Sequence, residues 1–415
     1  MTSLDLRGAL LGGLALATWS APAASQSNDI LTLGEALELS GAATIGEQAF
    51  NPRLVGPQEE VTAAEAEISQ AGLRPNPVVS LEVENVAGTG AFSGAQATEF
   101  TLAASLPIER GGKRQARVNA AEADLAVAGL RSELAGAELG QAVRERYVIA
   151  VAAQARVELA ENVLERNREL ARIAQALVDA GREPPLRALR AQSELAQAEA
   201  QLKVAQAEAL AARLGLGALW APQSTPEVPA TFPDIDPPDA LLASYAGIEL
   251  RLAAAEREAL QADVALQRSL GVPDPTVSAG IRRLQQTSDQ AFLVGVSIPL
   301  PLRNRNQGNI AAAEARARAA SARESVVQAD YRQEVAQARA DFLAAEARAD
   351  TLESGSLPQA EEALRLAQIG YRNGRFPQLE VLSAAEARDT IRRFLIDARE
   401  AQGRAAARLI RLAAQ

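Results

Sequence analysis

The chain has 415 residues, only 3% of them aromatic, and a composition dominated by alanine, leucine, glutamate, glutamine and arginine that favours long helices packed through small side chains. Its formal net charge is −10, with acidic and basic residues interspersed, which argues against nucleic acid as a partner because phosphates would be repelled. Cysteine and histidine are both absent, so thiol and imidazole catalysis, disulfides and the usual zinc and copper ligand sets are excluded.

The N-terminus has the pattern of a secretory signal peptide. Arg7 precedes an apolar stretch over residues 9–19, and Ala21-Pro22-Ala23 offers an A-x-A cleavage site. We therefore predict a signal peptide over residues 1–25, followed by an N-terminal segment over 26–58. The alternative is a buried first helix, because Asp5 makes the charged region imperfect. Beyond this segment no window reaches the ~18 apolar residues of a transmembrane helix, so the mature protein is expected to be exported without one.

The rest of the chain reads as a duplicated unit. Residues 59–221 and 240–412 each predict a helix, two alternating segments and two long helices, with an offset of about 190 residues between the copies. Between them, residues 222–239 contain six prolines, which cannot lie in a helix interior and predict a linker.

Four segments alternate between apolar and polar or small residues, which is the pattern of β-strands with one apolar face. Their length suits the ~9–11 residues of a tilted strand that crosses a bilayer, although half-buried strands of a soluble sheet have the same period. Four strands are too few to close a barrel, so strands in lipid would have to be shared among several chains, and three copies would supply twelve. The apolar positions are Val79, Leu81, Val83, Phe100, Leu102, Ala104, Leu106, Val277, Ala279, Ile281, Phe292, Val294, Val296 and Ile298.

Two stretches, from about residue 115 to 180 and from about 309 to 352, are almost free of proline and carry heptad-like apolar spacing. About 45 residues of helix would extend roughly 65–70 Å. The pattern predicts long antiparallel helices that form a coiled-coil tunnel, with a solitary coiled-coil rod as the alternative. We expect the helices to reverse near 160–167, where the pattern weakens, and at 353–358, where glycine and proline would break the helix.

At this point the residues resemble a known family. The order of signal peptide, LTLGEAL at 31–37, NPRL at 51–54, duplicated strand pairs and long helices is similar to the TolC family of outer-membrane efflux proteins. SIPLPLRNRNQGNI at 297–310 resembles the subgroup for heavy-metal efflux, namely the cobalt-zinc-cadmium and copper-silver components. Residues that carry the resemblance are Pro75, Asn76, Pro77, Pro299, Pro301, Asn304, Asn306, Gly308, Tyr371 and Gly374.

The resemblance implies a mostly helical fold with four transmembrane β-strands, contributed to a shared twelve-stranded barrel of a homotrimer in the outer membrane. Helices would cross the periplasm and meet an adaptor protein and an inner-membrane pump of the resistance-nodulation-division type. Such a channel is not an enzyme and needs no cofactor, and a lipid-bearing cysteine is excluded here because the chain has none. The substrate, a metal cation or an organic compound, is not identified by the sequence.

Two further expectations concern function. In a trimer, inward carboxylates would form rings of like charge that constrict the duct and favour cations. We place this periplasmic gate at Asp350, Glu353, Glu361 and Glu362, with Arg168 and Arg172 as possible ionic partners. The alternative function is a soluble periplasmic coiled-coil adaptor or scaffold, which the high predicted helix content would also suit.

Overall fold

The structure is a computed structural model that describes residues 30–42, 51–221, 224–235, 237 and 247–414. The predicted signal peptide lies outside the described residues, and so do parts of the predicted linker. Helices in the described part are α1 (Leu33–Ser40), α2 (Pro52–Ala71), α3 (Lys113–Asp179), α4 (Pro185–Gly217), α5 (Ile248–Leu270), α6 (Gln307–Thr351), α7 (Leu357–Arg372) and α8 (Gln378–Leu412). The strands are β1 (Val78–Glu84), β2 (Glu99–Pro107), β3 (Thr276–Leu284) and β4 (Gln290–Ser297).

The longest element is α3, whose 67 residues extend about 100 Å at 1.5 Å per residue. It packs against α2, α4, α5 and α8. Small and aliphatic side chains, including Leu164, Ala171 and Ala174, are buried along its C-terminal half. Because small residues let helix axes approach closely, this seam suits the long antiparallel helices that the composition predicts.

Two apolar clusters anchor the middle of the molecule, each around one tyrosine. Tyr147 of α3 is buried beside Val143 and Leu216, and its hydroxyl donates to the carbonyl of Leu31 at 2.8 Å. Tyr331 of α6 is buried in the second cluster, and its hydroxyl donates to the carbonyl of Leu412 at 2.6 Å. Both hydroxyls are therefore satisfied inside the core, as buried tyrosines require.

The predicted reversal near residues 160–167 is wrong. The helix continues through this stretch because Leu164 is buried against its neighbours and neither glycine nor proline interrupts it. It ends instead at Asp179, and Gly181 just beyond has a φ of +69°. The backbone N–H of Arg182 then donates to the carbonyl of Leu177, a six-to-one bond that closes the helix end.

The predicted break at residues 353–358 is also wrong. Leu352–Ser356 forms one turn of π-helix that joins α6 to α7 without a reversal. The N–H of Leu357 donates to the carbonyl of Leu352, and Pro358 falls in the first turn of α7, where a missing N–H is tolerated. The chain reverses only after Arg372, at Gly374 with a φ of +66°.

The four strands form one antiparallel sheet in the order β1-β2-β3-β4. In its register Leu81, Leu102, Ile281 and Phe292 lie side by side across all four strands. The strand prediction is therefore confirmed, and the apolar positions of all four strands share one face. Among the described helices, none combines the length and the hydropathy needed to cross a membrane.

Candidate functional site

The sheet presents an apolar face that nothing in the described part of the protomer covers. Phe292 is 86% exposed and Leu81 is 67% exposed, although both lie in a continuous apolar surface. A soluble protein rarely exposes such a patch, whereas hydrocarbon would surround it at no cost. We call this surface the apolar face; its members are Val79, Leu81, Val83, Phe100, Leu102, Ala104, Leu106, Val277, Ala279, Ile281, Phe292, Val294 and Val296.

The opposite side, the polar face, carries all the charges of the sheet except Arg283. Glu82, Thr101 and Arg282 lie in one row across β1, β2 and β3, and Glu84 faces Glu99 in the next row. A sheet with one apolar and one charged face can separate lipid from water. Its edge strands are β1 and β4. The edge strands need partners, because unpaired backbone groups are costly in hydrocarbon.

The ends of the strands nearest the helices are fixed by a cross-connection between the two halves of the chain. Lys113 at the start of α3 forms a 2.6 Å ion pair with Asp274, just before β3. The backbone N–H of Arg110 donates to the same carboxylate at 2.8 Å. Burial raises the pKa of Asp274, but the hydrogen bonds from Lys113 and Arg110 outweigh it, so the pKa lies below its ordinary value. The ionised carboxylate therefore ties the connection between β2 and α3 to the connection between α5 and β3.

The signature residues between β4 and α6 make the turn from the strand into the helix. Pro299 and Pro301 follow the last residue of β4, where no ladder hydrogen bond is needed. Asn306 is the N-cap of α6, with a φ of +62°, and its amide donates to the carbonyl of Gln267 at 2.7 Å. Asn304 accepts from the N–H of Asn306 at 3.0 Å, and Gly308 lies in the first turn of α6. The helix begins at Gln307 rather than near Asn309 as predicted.

In the first half of the chain, Pro75, Asn76 and Pro77 occupy the short connection between α2 and β1. Their rigid, extended backbone suits the change from helix to strand. The connections between α2 and β1 and between β4 and α6 therefore set the position of the sheet relative to the helices.

The four acidic gate candidates lie within continuous helix rather than at helix ends, because the expected reversal is absent. Asp350 and Glu353 both pair with Arg399 of α8. Glu361 pairs with Arg392 at 2.8 Å.

Glu362 pairs with Arg365, three residues along the same helix, at 2.6 Å. The arginines expected to pair with these carboxylates do not do so within the protomer. Arg172 binds Glu169 of its own helix, with Nε 2.8 Å from Oε2. Arg168 is exposed and has no ionic partner among the described residues.

The true reversals share a sequence pattern that resembles a family signature in both halves of the chain, but no reversal was predicted there. Gly-Arg-x-Pro-x-Leu occurs at 181–186 and again at 374–379, so the signal was present in the duplicated halves. Each glycine adopts a left-handed conformation, and in each turn the arginine N–H donates to a carbonyl five residues back. Arg187 Nη2 donates to Gln378 Oε1 at 3.2 Å, which places the two turns side by side.

A groove of about 390 Å³ runs between these two turns. The leucines that end the two motifs line it, and both are strongly exposed, Leu186 at 67% and Leu379 at 69%. Arg187, Arg190 and Glu194 supply charges along the same groove. Tyr371, one of the signature residues, lies one helical turn before Gly374 and is partly exposed. We call the region of residues 181–186 and 374–379 the helix tip.

A family model described as outer membrane efflux protein matches residues 48–221 and 248–415. The chain belongs to this family. Its location is the outer membrane, and the family is one of efflux channels, to which the apolar sheet and the long helices correspond. The alternative of a soluble periplasmic scaffold is not favoured.

Relatives within the family include metal-resistance proteins. The chain is 33% identical over 365 residues to the cobalt-zinc-cadmium resistance protein CzcC of Cupriavidus metallidurans, an alignment that spans 85% of this chain and 83% of that protein. It is 35% identical over 257 residues to the nickel and cobalt resistance protein CnrC of the same species, which spans 60% of this chain and 61% of CnrC. The resemblance to the heavy-metal subgroup is thereby confirmed.

Solved structures share the fold. The outer membrane protein VceC of Vibrio cholerae superposes with a TM-score of 0.75 at 22% identity, covering 92% of this chain and 96% of VceC. The outer membrane channel CmeC of Campylobacter jejuni superposes with a TM-score of 0.76 at 14% identity, covering 100% of this chain and 94% of CmeC. The mostly helical fold with four strands is therefore that of a family channel.

Proposed function

We propose that three copies of this chain form a passive duct, with twelve strands in the outer membrane and a helical tunnel in the periplasm. The observation that carries the proposal is a four-stranded sheet with an exposed apolar face and two edge strands. In lipid, β1 of one copy must pair with β4 of the next, because every backbone group has to be satisfied. Three-fold closure then places the polar face on the inside.

We further propose that the substrate is a divalent metal cation. The support is the identity of 33% to CzcC across most of both chains. The duct needs no tight metal site, since passage requires weak interactions. Among the described residues no group of three or more histidine, cysteine or acidic side chains could hold a metal ion. Metal selectivity then belongs to the pump, and the chain itself catalyses no reaction.

The helix tip is the proposed docking site for a periplasmic adaptor that connects the duct to a resistance-nodulation-division pump. Two exposed leucines, Leu186 and Leu379, stand on either side of one groove. An adaptor with helical hairpins would place apolar side chains between them, as helices do in apolar grooves. The arginines and Glu194 of the groove would fix the orientation through ionic contacts at its rim.

The test combines conductance with metal tolerance. The wild-type protein should conduct in planar bilayers and restore cobalt, zinc and cadmium tolerance to a host whose own outer-membrane component is deleted. The double variant Leu186→Ser, Leu379→Ser should conduct normally and yet fail to restore tolerance. Val204→Ser, which removes an exposed apolar side chain from the middle of α4, is the matched control and should restore it. A non-conducting wild type would refute the duct, and full tolerance in the double variant would move adaptor docking elsewhere.

A further inference from the structure

Arg282 of β3 connects three strands on the polar face of the sheet. Its Nε donates to Thr101 Oγ1 at 3.0 Å, and its Nη1 donates to Glu99 Oε2 at 2.9 Å, both on β2. Its Nη2 lies 3.0 Å from Glu84 Oε2 on β1. One guanidinium therefore holds two carboxylates in fixed positions, which its planar fork of donors allows and a lysine would not.

The position of Arg282 in the sheet gives this group a functional setting. The helices join the other end of the strands, at Pro107 and Thr276, so the Arg282 row lies at the end of the sheet near the β1–β2 and β3–β4 loops. With the helices in the periplasm, this is the outer end of the duct. The polar face here carries Glu82, Glu84, Glu99 and Arg282, and three carboxylates against one guanidinium leave a net charge of −2 per protomer.

We propose that Arg282 sets the ion selectivity of the outer end of the duct, by neutralising part of a ring of carboxylates. The inference rests on the proposed trimeric duct. Six negative charges remain in three copies, which favours cations, while the three arginines limit how tightly cations are held. Conduction needs this balance, because an ion that binds too strongly does not leave.

The neighbouring residue provides a matched control. Arg283 has the same charge on the same strand, but its row contains Val83, Phe100 and Gln290, so it lies at the outer margin of the apolar face. It is exposed and has no ionic partner among the residues that the structure describes. Loss of Arg283 removes the same charge per protomer without changing the interior.

The experiment is the reversal potential of single channels in a potassium chloride gradient. Arg282→Gln should raise the potassium-to-chloride permeability ratio at least about twofold, because three positive charges leave the interior. Arg282→Lys, which keeps the charge, and Arg283→Gln should both stay near the wild-type ratio. Equal ratios for Arg282→Gln and Arg283→Gln would overturn the inference.

A second variant covers the case in which Arg282→Gln fails to assemble. Glu82 lies in the same row as Arg282, two strands away, is exposed, and has no ionic partner among the described residues. Glu82→Gln should lower the permeability ratio, and an unchanged ratio would also overturn the inference. Variants that conduct with an unchanged permeability ratio would contradict only the role of Arg282 in selectivity. A wild type that does not conduct would contradict the proposed duct as well.

Discussion

Asp389 of α8 forms an ion pair with Arg166 of α3 across the interface between the two long helices. The Asp389 side chain is only 6% exposed, and Arg388 forms a second pair with it at 2.7 Å. A carboxylate so deeply buried is tolerated because two guanidinium groups replace its hydration. The pair between Arg166 and Asp389 therefore ties α8 to α3.

Replacement of Asp389 should therefore destabilise the helical part strongly. Asp389→Ala leaves two largely buried arginines without a counter-charge, and we expect a loss of about 3 kcal/mol in the free energy of unfolding. The measurement is denaturant unfolding followed by helical circular dichroism.

The matched control is Asp397→Ala, which also removes a carboxylate between α8 and α3. Asp397 is 48% exposed, and its partner Arg156 keeps a second carboxylate, Glu400. We expect a loss below about 1 kcal/mol. Equal losses for the two variants would mean that the burial of Asp389 adds nothing to the free energy of unfolding beyond an exposed ion pair.

The joint at Asp274 should make stability depend on pH. Its folded-state pKa lies below the ordinary value of 3.8, so its contribution is present above that value and is lost as the pH falls through the folded pKa. In wild type, the thermal stability of the assembly should fall below about pH 4.

Asp274→Asn should be less stable than wild type at pH 7 and should lose less stability on acidification. Asp289→Asn, in the loop between β3 and β4, removes a carboxylate remote from this joint and should follow the wild-type profile. Thermal melting between neutral and acidic pH measures both effects, and parallel profiles for Asp274→Asn and wild type would exclude Asp274 as the cause.

The acidic gate candidates remain a prediction that conductance can test. Replacing Asp350, Glu353, Glu361 and Glu362 together with alanine removes negative charge and frees Arg399, Arg392 and Arg365 from their pairs. We expect a larger single-channel conductance and a weaker cation preference in planar bilayers. Unchanged conductance and selectivity would mean that these four residues stabilise helices and do not restrict the duct.

The strands were predictable from sequence because a period of two is local and directly sets which side chains share a face. Leu102 and Ile281, nearly 180 residues apart in the chain, are aligned by the register that this pattern requires. The strand-to-helix joints were also predictable, since proline restricts the backbone and asparagine tolerates the left-handed conformation of a turn.

The helix ends were less predictable because they depend on packing. Gly355 and Pro358 look like helix breakers, but Gly355 lies in a π-helical turn and Pro358 in the first turn of α7, while Ala349 and Ala360, on either side, remain buried. The pair of Asp389 with Arg166 and the pairs of Arg282 had no local signal either, because these partners come from distant parts of the chain. At the helix tip the local signal is a glycine followed by proline three residues later, at Gly181 and Gly374, which is the pattern of a helix end.

Closure of the sheet between copies can be tested directly by disulfide cross-linking, because the chain has no cysteine of its own. Chains with one cysteine on β1, in place of Leu81, and one on β4, scanned over residues 292–296, should yield linked dimers and trimers in the outer membrane at one register and nothing larger. As a control, Leu102→Cys with Ile281→Cys joins neighbouring strands of one chain and should leave it monomeric on denaturing gels. Only monomers at every β4 position, or a ladder that continues beyond three, would contradict the trimeric barrel.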